Sequence, residues 1–254
     1  MAIGRGRYRI ARPREPGACV PRRTRVPRPV ATSAAEFIPD VARPSLTILR
    51  EAAEGCRGCE LYKNATHAVF GEVDDGRRKP VPSTRTRAPL MLVGEQPGDE
   101  EDKVGRPFVG PAGRLLDELL ERAGVERSKV YVTNAVKHFR WEQRGTRRLH
   151  AKPSARHVKA CKPWLLEEVR VVKPSVMLCL GATAAQAVLG PSVKVSRAEG
   201  EAFHAEDLPE SLAVLASIHP SAALRAPKSE RREELRDRLV RDLRRAAELS
   251  GLSG

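Results

Sequence analysis

Cys56 and Cys59 form a C-x2-C pair, and Cys161 and Cys179 follow with seventeen residues between them. The 101 residues separating Cys59 from Cys161 do not suit a compact zinc finger. Four thiolates drawn from distant segments suit an all-cysteine iron–sulfur cluster instead. Cys19 lies in an Arg/Pro-rich stretch and stands outside this set. A second constellation falls at the ends of short apolar runs: Glu95 and Gln96, then Asn134, Gly181 and His219. A carboxylate directly after an apolar run is not explained by packing. Asn134 carries both a donor and an acceptor, the pair needed to read an amide-like edge. Phe108 sits in a Gly/Pro-framed loop of a chain with only 4% aromatic residues, either anchoring that loop or presenting a ring to a ligand.

These residues need elements to position them, and the chain shows a regular alternation. PLMLVGE (89–95), KVYVTNAV (129–136), SVMLCLG (175–181) and LAVLASIHP (212–220) are apolar runs of strand length. Helical patterns separate them. PAGRLLDELLERAG (111–124) opens on Pro and closes on Gly, and Ser45 is placed to cap LTILREAAEG. Ser154 opens a further helix to residue 172, where Pro163 is expected to kink or divide it. Near-continuous apolar strands between helices predict a three-layer α/β/α sandwich around a central, mostly parallel sheet of about four strands. Ligands bind beyond the carboxyl ends of such strands, where Glu95, Gln96, Asn134 and His219 fall. One pocket is expected there.

The formal charge is +14, from 46 Lys+Arg against 32 Asp+Glu. Residues 1–44 hold ten Arg and three acids, net +7, with prolines and almost no periodicity. They read as a disordered arm, and residues 45–254 as one domain. Such a basic surface seeks a polyanion such as nucleic acid. No apolar leader or membrane span is expected, which points to a cytoplasmic protein whose cysteines serve metal or redox chemistry rather than disulfides.

GEQPGDEED (94–102), GRPFVGPAG (105–113), YVTNAVK (131–137) and IHPS (218–221) together resemble the signature of the family 4 uracil-DNA glycosylases over residues 45–250. Gln96 replaces the family's usual Ala, and the segment after the Asn strand, HFRWEQRGTRRLHAKPS (138–154), is unusually long. Both departures resemble the UdgX branch, whose members become covalently joined to uracil-containing DNA through a His of that loop. The matching residue is His150.

The resemblance implies roles for these residues. Phe108 would stack on a flipped uracil, Asn134 would read its edge, and His219 would hydrogen-bond uracil O2 as negative charge develops. Gln96, Gly98 and Asp99 would shape the loop around base and sugar, with Ser221 following His219 at the substrate. Glu95 would stabilise the cationic sugar, orient His150 or position water; the residues leave these open. His150 would attack sugar C1′, leaving an alkylated imidazolium with no easy hydrolytic exit. Arg148 and the other basic residues around Trp141 would contact phosphate, with single-stranded DNA preferred. The resemblance also implies a [4Fe–4S] cluster on Cys56, Cys59, Cys161 and Cys179, in a monomer. A turning-over family 4 hydrolase and a noncatalytic iron–sulfur DNA-binding module are the alternatives.

Overall fold

Alternate residues of each central strand face opposite sides of the sheet, and in this chain both sides are apolar. A computed structural model describes residues 33–73 and 87–252. Its sheet runs in the order β1-β3-β2-β6-β7, from β1 (Glu72–Val73), β2 (Leu90–Gly94), β3 (Val130–Asn134), β6 (Val176–Leu180) and β7 (Ala213–Ser217). The last four are parallel; β1 adds a two-residue antiparallel edge beside β3. The expected four strands are there, and the fifth is too short to carry a pattern.

Met91, Val93, Tyr131, Met177 and Val214 pack into one core, with helices α1 (Leu46–Glu54), α4 (Ala155–Val172) and α5 (Ala182–Leu189). Leu90, Leu92, Val132, Leu178 and Leu215 pack into a second core, with α3 (Pro111–Ala123), α6 (Pro220–Arg225) and α7 (Ser229–Ser250). The three-layer sandwich follows from this division. Helix ends follow the sequence signals. Ser45 Oγ accepts from the Ile48 amide at 3.2 Å, Pro111 opens α3, and Gly124 closes it at φ +75°.

Three expectations change. Pro163 lies inside α4 without dividing it, the helix being unbroken from Ala155 to Val172. The ordered fold begins before residue 45: Ala34–Phe37 forms a 3-10 turn capped by Ser33, and Ala34 is fully buried. Residues 1–32, the bulk of the expected arm, lie outside the described residues. The segment after Asn134 is no irregular loop but carries a hairpin, β4 (Trp141–Arg144) paired antiparallel with β5 (Arg147–His150). Gly145 has φ +60° and Thr146 does not take positive φ, the pattern of a two-residue II′ turn. The hairpin's strands are largely exposed and charged, so they give no apolar alternation to read.

Candidate active site

The chain runs from β2 outward to β3, then crosses back to β6 on the other side of β2, which makes β2/β6 the switch point of the sheet. A cavity of about 970 Å³ opens there, lined by Glu95, Gln96, Phe108, Asn134, His150 and His219. Gly98, Asp99 and Ser221 line it too, so segments distant in sequence meet at one site. Among the described residues no helix is long and apolar enough to cross a membrane.

The closed end is built around a missing side chain. A Cβ on Gly94 would lie 2.4 Å from Asn134 Oδ1 and 2.8 Å from the Phe108 ring, so glycine lets both reach the cavity floor. Asn134 is 3% exposed, and among the described residues its amide meets no protein partner. Phe108 takes φ +56°, a conformation costing a bulky residue on the order of 1–3 kcal/mol. Its loop is held from both sides. A Cβ on Gly113 would lie 1.8 Å from the Phe108 carbonyl oxygen, so only glycine lets α3 start this close. The buried Glu101, on the short helix α2 (Asp99–Val104), accepts from the Gly98 amide at 3.1 Å and the Gly110 amide at 2.9 Å, tying the two motif loops together.

His219 is held neutral. Burial, with the nearby charges of Arg225 and His150, pushes it down to about 4. Its Nδ1 accepts from the Ser221 amide at 3.1 Å and lies 2.8 Å from the Ser221 hydroxyl. An amide can only donate, so the imidazole proton sits on Nε2. His219 is therefore a neutral donor.

His150 reaches the cavity from the end of β5, with Nε2 3.5 Å from Glu95 Oε1. Gln96, 7% exposed, accepts from the Arg140 amide through Oε1 at 3.1 Å, which fixes the orientation of its side chain. Its NH2 then faces the Arg140 and Ala151 carbonyls, both at 3.1 Å, and His150 Nε2 at 2.9 Å. Two hydrogens serve three acceptors, and the imidazole contact is the shortest. A donor aimed at Nε2 favours a lone pair there and the proton on Nδ1. Glu95 Oε2 accepts a hydrogen bond from the Thr183 hydroxyl.

Arg148 is paired within the protein. It donates to Asp99 at 2.6 Å and to the buried Asp102 at 2.7 Å, with its guanidinium over the rings of Phe139 and Trp141. Partial burial acts against its charge and is outweighed by the two carboxylates. Burial would likewise raise Asp99, but Lys103 and Arg148 hold it below the usual carboxylate range. Trp141 donates its indole N–H to the Asn64 carbonyl at 2.9 Å. Arg144, Arg147 and Lys152 remain exposed.

The cysteines divide three to one. Burial raises Cys59 and pushes Cys161 up to about 12, and both lie close enough to Cys56 for its thiolate to oppose their ionisation further. Cys56 Sγ accepts from the Trp164 indole at 3.3 Å and Cys161 Sγ from the Lys137 amide at 3.2 Å. Cys179 stands apart. It is the fourth residue of β6, between Val93 of β2 and Ala216 of β7, and burial alone raises it to about 12. Among the described residues no group of three or more His, Cys, Asp or Glu is arranged to hold a single metal ion. The three clustered thiols, with N–H donors on two sulfurs, fit part of a thiolate site; the four-cysteine set does not assemble.

Several residues that shape the site were not singled out from the sequence, even where they lie inside the quoted motifs. Glu101 is one of four consecutive acids, Thr183 sits among alanines, and Gly94 looks like an ordinary strand end. Lys137 and Glu168 form a buried ion pair at 2.6 Å behind Asn134, with Lys137 Nζ also donating to the Asn134 carbonyl at 2.8 Å. Glu168 Oε1 accepts from Tyr131, Thr133 and the Gly71 amide, so the buried charges are fully partnered.

The profile of the uracil DNA glycosylase superfamily matches residues 81–244. A type-4 uracil-DNA glycosylase of Archaeoglobus fulgidus is 32% identical over 208 residues, covering 80% of this chain and 92% of the relative. One of Thermotoga maritima is 34% identical over 202 residues, with 79% and 92% covered. One of Pyrobaculum aerophilum is 33% identical over 183 residues, with 70% and 84% covered. The pocket at the strand ends is thus built on a shared scaffold, and the chain belongs to the uracil-DNA glycosylase superfamily.

Proposed function

We propose that this chain is a uracil-DNA glycosylase that extrudes uracil from DNA, breaks its N-glycosidic bond and is trapped on the sugar through His150. The observation that carries the trapping is the position of His150 Nε2, at the same cavity as Asn134, Phe108 and His219 and 3.5 Å from Glu95 Oε1.

Phe108 stacks on the flipped base and the Asn134 amide pairs with its edge. As the bond from C1′ to N1 breaks, its electron pair leaves with uracil, and the Nε2–H of His219 donates to O2. A neutral donor suits this step, because the charge it meets arises only in the transition state. Glu95 faces the cationic sugar. The Nε2 lone pair of His150 then closes an N–C1′ bond, the positive charge passes to the imidazolium, and its Nδ1 proton leaves to water. Alkylated imidazole is a poor leaving group, so the enzyme ends on its product. In an ordinary type-4 reaction water takes the place of His150 and the enzyme turns over.

An iron–sulfur group on Cys56, Cys59 and Cys161 is part of the reading, supported by three clustered thiols two of which accept N–H bonds. When bound it supplies a structural pin between the end of α1 and α4. The substrate is uracil-containing DNA, with single strands preferred.

The test is incubation with single- and double-stranded oligonucleotides carrying one uracil, boiling in detergent and intact-mass measurement. The expected product has the mass of protein plus oligonucleotide less uracil, forms faster on the single strand, and is absent in His150→Ala. Released uracil with a heat-labile complex would favour the turning-over enzyme, and no released uracil would favour a binding module.

A further inference from the structure

Thr183 is the second residue of α5, 6% exposed, and its hydroxyl donates to Glu95 Oε2. The other oxygen, Oε1, is the one that faces His150 Nε2 at 3.5 Å. Glu95 is the first residue beyond β2, and its carbonyl accepts from the Val136 amide at 3.0 Å, so its backbone is held at the carboxyl end of the sheet. Its carboxylate is held by Thr183. A free carboxylate rotates and exchanges its two oxygens; one oxygen bound by a buried hydroxyl fixes the plane and leaves the other in a set direction. That direction is toward the imidazole that meets the sugar.

We propose that Thr183 is a positioning residue that divides the work of the two Glu95 oxygens, reserving Oε1 for the sugar cation and His150. The inference rests on the reading of the site given above. Thr183 touches neither base nor sugar in this scheme. Its effect passes through Glu95: with Oε1 in place the cation persists beside Nε2 long enough for the N–C1′ bond to close. With the carboxylate loose, the cation is less stabilised and water gains access. Replacement by valine keeps the shape of the side chain and removes only the donor, while serine keeps the donor and loses a methyl group.

The experiment compares wild type, Thr183→Val and Thr183→Ser on a uracil-bearing single-stranded oligonucleotide, measuring free uracil and the boiling-resistant adduct in the same samples. Thr183→Val is expected to slow adduct formation about tenfold or more, as loss of a hydrogen bond to a charged group does. Thr183→Ser should recover most of the rate. A double-mutant cycle with Glu95→Gln separates positioning from general damage, since Thr183→Val should cost little further once the carboxylate is gone. Equal rates for wild type and Thr183→Val, or an undiminished effect in the Glu95→Gln background, would overturn the inference and leave the trapping intact. A wild type that forms no adduct overturns the trapping, and this inference with it. Thermal unfolding of each variant identifies a folding defect, in which case the serine variant and the cycle decide.

Discussion

Gln96 Nε2 reaches His150 Nε2 at 2.9 Å while Gln96 Oε1 accepts from the Arg140 amide at 3.1 Å, so the backbone of the hairpin base turns the Gln96 NH2 toward the imidazole and favours a lone pair on Nε2. Gln96→Glu replaces that donor by an acceptor and favours the opposite tautomer. Adduct formation should slow about tenfold or more while uracil is still released, as followed by gel shift after boiling and by free-base assay. An unchanged adduct rate would show that Gln96 does not select the tautomer.

Gly94→Ala should close the floor of the cavity. Its Cβ would press on Asn134 Oδ1 at 2.4 Å and on the Phe108 ring at 2.8 Å, contacts neither partner can relieve without leaving its place. Uracil excision should fall at least a hundredfold, with about 1–3 kcal/mol lost in denaturant unfolding from overpacking. Near-normal excision would place the base elsewhere.

Asn134→Asp exchanges an amide donor for a carboxylate at a position only 3% exposed. Excision should drop by about one to two orders of magnitude, matching one lost polar contact in a closed pocket. Undiminished excision would remove Asn134 as the reader of the base.

His219 gives a pH signature whose sign follows from its direction of shift. Its folded-state value of about 4 lies below the ordinary 6.5, so the unfolded chain binds the proton more readily. This contribution is fully present above pH 6.5 and is lost as pH falls toward 4, a change of up to about 3 kcal/mol. Urea unfolding of wild type and His219→Asn at pH 7.5 and 4.5 should show the larger loss in wild type. Equal losses would mean that His219 is not held neutral.

Cys56→Ala, Cys59→Ala and Cys161→Ala should each abolish the visible absorbance of an iron–sulfur protein, whereas Cys179→Ala should keep it. Iron retained in the first three, or lost in the fourth, would redraw the ligand set.

The buried strands could be read from sequence because both sheet faces are apolar, which leaves continuous runs ending in Glu95, Asn134 and His219. The hairpin could not, since β4 and β5 are stabilised by Arg148 with Asp99 and Asp102 and by Trp141 on Asn64, pairings between distant residues that no local pattern announces. The same limit hides the pairing of Arg148, because residue type reveals a charge but not its partner. Cys179 is the converse: a thiol in a buried strand has the type of a ligand and the position of a core residue. Gly94 and Thr183 escape notice because their contribution is a missing Cβ and a single hydroxyl.

The two-stranded sheet that carries His150 pairs with no strand of the five-stranded sheet, while Phe108, Asn134 and His219 lie outside it. On the proposed reading, base recognition and sugar capture are carried on different pieces of chain. The hairpin's ties to the pocket run through Gln96, Asp99 and Asp102 rather than through strand pairing. If the proposed trapping holds, the length and anchoring of this one surface ribbon decide whether the enzyme is consumed by its substrate.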